Sequence, residues 1–94
     1  MTECYEIVKQ PRGGAKIGRL FFDKEKACDW AVSDYNDDTI FLLAKLDPDI
    51  AKRIGLCPDE DGSKSLEFRS RLLSDGKFAR ANVAFYQLLK REIE

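Results

Sequence analysis

Leu66-Glu67-Phe68-Arg69-Ser70-Arg71-Leu72 is the stretch on which the fold turns. Leu66, Phe68 and Leu72 alternate with Glu67, Arg69 and Arg71, which predicts a β-strand with one solvated face. At helical spacing the same apolar residues split between opposite sides. Ser74-Asp75-Gly76-Lys77 then ends the element, and beyond it the period changes. Phe78, Ala81, Phe85, Leu88 and Leu89 share one helical face and Arg80, Gln87 and Arg91 the other, so a helix is predicted from Phe78 almost to the end of the sequence.

Upstream, Thr39-Ile-Phe-Leu-Leu-Ala-Lys-Leu46 is apolar almost throughout. Its length, its β-branched and aromatic start and the Asp47-Pro48 stop favour a strand buried in the middle of a sheet, with a helix as the alternative. Asn36-Asp37-Asp38 before it reads as a turn. Ala27, Trp30, Ala31 and Tyr35 follow helical spacing behind Asp23, an N-cap whose carboxylate meets the free amides of the first turn. Tyr5–Gln10 and Lys16–Phe22 are rich in strand formers, and Pro11, Gly13 and Gly14 between them supply a tight reversal, which predicts an antiparallel hairpin. Asp47 as cap, Pro48 at the first helical position and Gly55 past the end bracket a short helix, Pro48–Ile54.

The predicted order is ββαβ, a short α, then βα. This is an α+β fold over residues 1–94 as one small domain, with a mostly antiparallel sheet and helices packed on one face. Trp30, Phe68, Phe78 and Phe85 are expected in the core.

The absence of histidine narrows the chemistry. Ser-His-Asp and Cys-His nucleophiles, His-containing zinc sites and imidazole acid–base pairs cannot be assembled. An enzyme would depend on carboxylates, lysine or tyrosine alone, so a non-enzymatic role without cofactor or metal is expected. Cys4, Cys28 and Cys57 show no Cys-x-x-Cys spacing and read as free thiols, with Cys57 the most exposed. The sequence starts without the basic segment and apolar core of a signal peptide, and its longest apolar run is Ile40–Ala44. The cytoplasm is the expected compartment.

Three possible ligand loops fail on spacing. Lys9–Arg19 holds four cations and three glycines, but Arg19-Leu20 stands where a phosphate loop needs Lys-Ser/Thr. No Gly-x-Gly-x-x-Gly is present. Placing Gly62 of Asp59-Glu60-Asp61-Gly62 at the sixth position of a calcium loop puts Cys57 and Phe68 where carboxylates are needed.

Charge is distributed in blocks: residues 1–22 carry +2, 23–61 carry −6 and 62–94 carry +3, for a net charge of −1. Such segregation predicts an acidic binding face at Asp29, Asp34, Asp37 and Asp38. A basic face is predicted at Arg12, Lys16, Arg19, Arg69 and Arg71. Arg69 and Arg71 share one side of the predicted strand. In layout, the ββα unit with an attached strand is similar to many phage- and plasmid-encoded accessory proteins. These include inhibitors of host enzymes and defence complexes, anti-CRISPR proteins among them. The resemblance implies a small stoichiometric inhibitor or regulator that binds a protein or nucleoprotein complex. Direct nucleic-acid binding through the Lys9–Arg19 hairpin and the Arg69/Arg71 face is the alternative. A homodimer through an exposed strand edge is a further expectation, and a membrane partner is not.

Overall fold

The computed structural model describes residues 2–11, 13–57, 61–80 and 84–93. Its elements are β1 (Thr2–Pro11), β2 (Ile17–Phe21), α1 (Lys24–Lys45), α2 (Pro48–Arg53), α3 (Ser63–Asp75), β3 (Lys77–Arg80) and β4 (Ala84–Ile93). The α+β class holds: the strands form one antiparallel sheet in the order β2-β1-β4-β3, with helices on one face. No helix among the described residues is long and apolar enough to cross a membrane.

The β1–β2 hairpin, the start of α1 and the opening of α2 follow the sequence closely. The β1–β2 hairpin reverses through Gly13, whose positive φ of 74° a residue with a Cβ adopts only with strain. Asp23 caps α1, its carboxylate accepting from the Glu25 and Lys26 amides at 2.8 and 3.3 Å. Asp47 and Pro48 open α2, which gives way to Gly55 at φ 78°.

Three elements differ from expectation, and the order is ββαααββ. The expected Asn36–Asp38 turn and Thr39–Leu46 strand are both taken up by α1, which ends at Lys45 with Leu46 as its C-cap. The polar residues that suggested a turn have partners on neighbouring elements: Asn36 Nδ2 donates to Ser65 Oγ on α3 at 3.0 Å, and Asp38 faces β1. Thr39, buried in mid-helix, donates its hydroxyl to the Tyr35 carbonyl at 2.9 Å. The unbroken apolar run misled because Ile40 and Phe41 are surface residues, whereas Leu42, Leu43 and Leu46 pack against the core.

Leu66–Leu72 lies within α3. Phe68 and Leu72, four residues apart, are fully buried, while Leu66 is 70% exposed and belongs to neither face of a strand. The helix ends at Gly76, φ 73°, whose N–H reaches the Leu72 carbonyl at 3.1 Å and whose own carbonyl accepts from Leu88 of β4 at 2.7 Å. One residue therefore closes α3 and opens the sheet.

The predicted helix from Phe78 is β3 and β4; its residues 81–83 and 94 lie outside the described residues. β4 imitated helical period because both of its faces are partly apolar. Ala84, Tyr86 and Leu88 turn to the helices, and Phe85, Gln87 and Leu89 turn away. Phe85 is thus not a core residue. Phe68 is, and Trp30 and Phe78 pack at its margin. Tyr86 is the largest fully buried side chain, its ring 5.1 Å from Phe68 and 6.2 Å from Tyr35.

Candidate interaction surface

The structure divides the nine proposed binding residues into three groups. The first is drawn inward. Lys9, near the end of β1, is 9% exposed and sends its ammonium to Asp34 Oδ2 at 2.7 Å and to Asp38. Tyr86 of β4, opposite Lys9 in the register, donates its hydroxyl to the same Asp34 oxygen at 2.8 Å. The cluster joins the two central strands to the third turn of α1. Burial alone would lower the Lys9 pKa, but the hydrogen bonds and charges of Asp34 and Asp38 outweigh it and hold the value above the ordinary lysine range. Burial, reinforced by Asp34, raises that of Tyr86 as well. Both groups therefore keep their protons at neutral pH. In this state Lys9 is an ion-pair donor and is not primed as a base or nucleophile.

The second group neutralises itself at the surface. Asp29 of α1 accepts from Arg69 Nε of α3 at 2.7 Å, and this bond raises the arginine pKa. Arg69 and Arg71 do not share a face, because two residues on a helix differ by about 200°. Arg71 turns to Asp75 one turn on, at 3.8 Å, with its guanidinium 5.8 Å from the Phe78 ring. The acidic middle of the chain and its basic end thus fold against each other. A surface expected to face a partner becomes an α1–α3 seam.

The third group stays outward. Asp37 is exposed on α1. Lys16 and Arg19 are exposed on the hairpin, and the Arg19 guanidinium lies 5.4 Å from the Trp30 ring and 6.0 Å from Phe21. Arg12 lies outside the described residues, as do Asp59 and Glu60 of the acidic loop.

Around Lys16 and Arg19 the structure adds apolar residues that the sequence did not single out. Ile17 is 51% exposed, Leu20 58% and Phe22 76%. β2 is an end strand of the sheet, so its outer backbone edge has no neighbouring strand among the described residues. Ile17 and Arg19 point to the helix side and Leu20 to the other, as the pairing with Lys9, Ile7 and Glu6 requires. Leucine and isoleucine inside a hairpin strand read as core, and only the position of β2 at the sheet edge shows otherwise.

Clefts lie elsewhere on the molecule. One, of about 400 Å³, lies between the end of α3 and β4, with Lys24, Asp75 and Lys90 on its walls. Another, of about 320 Å³, is lined by Leu43, Pro48, Ala51 and Leu56 beside α2. Cys4 and Cys28 are buried; Cys57 is exposed at the rim of the second cleft and receives the Lys64 ammonium. No protein-family model, curated protein or solved structure matches the chain.

Proposed function

We propose that the chain is a non-enzymatic interaction protein of the cytoplasm. In this reading it acts stoichiometrically, as an inhibitor or regulator, by receiving a protein partner along β2. The observation that carries this is the edge strand itself: an open backbone edge, flanked by Ile17, Leu20 and Phe22 at high exposure and by the cations Lys16 and Arg19. Monomeric proteins usually protect such edges with charge, and Arg19 serves that purpose in the absence of a partner. An extended, acidic segment of another protein fits the edge, pairing by main-chain hydrogen bonds while its carboxylates meet Arg19 and Lys16. The acidic face is not part of this reading, since Asp29, Asp34 and Asp38 have partners within the chain.

Affinity capture from a cognate lysate, with the wild type beside Arg19→Glu and Ile17→Asp, tests the proposal. A protein held by the wild type at low salt and lost with either variant supports it. Equal retention by all three, at low and high salt, overturns it. Recovery of nucleic acid in place of protein, with binding that falls steeply as salt rises, favours the alternative in which the hairpin follows a phosphate backbone.

A further inference from the structure

Among the described residues no element covers the sheet face turned away from the helices, and the smallest extent of 18 Å holds one sheet and one helical layer. Gly18, Val8, Gln87 and Lys77 form one row across this face, from the β2 edge to the β3 edge. The row has a carboxylate at one end and an ammonium at the other. Glu6 lies over Gly18, where an added Cβ would meet Glu6 Oε2 at 2.6 Å, and Arg91 Nη2 holds Glu6 Oε1 at 2.9 Å. Lys77 is exposed at the opposite end.

This arrangement is complementary to itself. A two-fold axis parallel to the strands, running between β1 and β4 just outside the face, carries each end of the row onto the other. Lys77 of each copy then stands over the Glu6 carboxylate of its partner, and symmetry makes the contact twice. Glu6, Arg91 and Lys77 are the charges on the face among the described residues; the two Arg91 side chains meet beside the axis, each paired with the Glu6 of its own chain. Between the charged ends lie Val8 and Leu89, which supply apolar contact.

We infer that the chain forms a two-fold dimer in which these open sheet faces pack together, with the helices outside. Packed sheets align within about 30° and stand about 10 Å apart. Strand length and spacing give each face on the order of 500 Å². The roughly 1,000 Å² buried between two copies meets the lower bound for a specific interface. The backbone edge of β2 and Arg19 stay free in the dimer, while Leu20 lies on the packed face.

Sedimentation equilibrium from micromolar to millimolar concentration tests it. A mass rising towards twice 10.8 kDa is expected, and a constant monomer overturns the proposal. Lys77→Glu, on an exposed side chain, should weaken association at least tenfold with an unchanged circular-dichroism spectrum, whereas Lys77→Arg should preserve it. Arg19→Glu should leave association unchanged, which separates this test from that of the partner surface. Zero-length carbodiimide coupling of a mixed ¹⁴N/¹⁵N sample should yield Lys77–Glu6 peptides bearing one label from each chain. A dimer that lacks this cross-isotope product and is indifferent to Lys77→Glu uses another face, and the inference fails.

Discussion

Glu6 and Lys9 are three residues apart on one strand and each holds an ion pair, yet the two pairs lie on opposite faces of the sheet. Lys9 points under α1, with its side chain 11% exposed and two carboxylates and a phenol converging on it. Glu6 points to the open face, where its partner Arg91 is 54% exposed. The chemistry is the same and the surroundings differ. The buried ammonium of Lys9 must be satisfied by carboxylates that themselves keep 25% and 38% exposure, so the cluster specifies how helix and sheet dock. A pair in contact with water adds little to stability and serves to keep the surface flat and neutral.

Mutations should separate the two faces by size of effect. The largest belongs to Lys9→Ala, which leaves two carboxylates facing each other under the helix; a loss of about 3 kcal/mol in urea unfolding is expected. A loss below that of a surface variant would show that water reaches the cluster and would erase the contrast.

Alkaline titration comes next. Lys9 binds its proton more tightly folded than unfolded, because Asp34 and Asp38 overcome the opposing effect of burial. The stability gained is complete below the unfolded lysine value of 10.5 and is lost as pH rises through the higher folded value. Tyr86 acts with the same sign above its ordinary value of 10.0, because burial keeps its phenol protonated in the folded state. The Cys28 thiol, raised by burial from its ordinary value of 9.0, has the same sign, so urea midpoints should stay level from neutral pH to about 9, begin to fall there, and fall more steeply beyond about 10. In a Lys9→Met, Tyr86→Phe double variant the fall should be shallower. Lys90, raised by Glu3 at 3.0 Å, is fully at the surface and screened, so it should leave this difference intact.

Tyr86→Phe alone should cost about 1 to 2 kcal/mol, since Asp34 loses one donor and keeps Lys9. An unchanged midpoint would show that the hydroxyl contributes nothing to docking. Smallest is Arg91→Ala on the open face, where about 0.5 kcal/mol is expected in thermal or urea unfolding of dilute protein. A cost matching that of Lys9→Ala would remove the distinction between the faces.

How much of this was legible depended on the reach of each signal. The hairpin, the Asp23 cap and α2 rest on residues that act within a few positions, and those were readable. The buried cluster was not, because Lys9, Asp34 and Tyr86 come together only when the first and last strands pair. As residue types they suggested two charged faces, yet Asp34 and Asp38 serve one lysine and Asp29 serves Arg69. The misread elements have a common cause as well. Leu66, Ile40 and Phe41 are large apolar residues at the surface, and counting them as core shifted the period from helix to strand. The local cues to α3 are Asp61, whose carboxylate accepts from the Ser63 amide at 3.0 Å, and Gly76 at its end, and the alternation of Leu66–Leu72 masks them. β4, apolar on both faces, gave the opposite error.

The pairing of β1 with β4 also sets the order of assembly. Its register runs from Thr2 with Ile93 to Pro11 with Ala84, so every bond of the central ladder spans more than seventy residues. The β1–β2 hairpin and the three helices can form from near neighbours, but the ladder must wait for one large loop to close against its entropy. Refolding is thus expected in milliseconds to seconds, with β4 substitutions slowing it more than β2 substitutions of equal cost. Stopped-flow refolding complete within microseconds would contradict this. Until that loop closes, the Lys9 ammonium and both its carboxylates remain in water, and the docking of helix on sheet is decided in the last step.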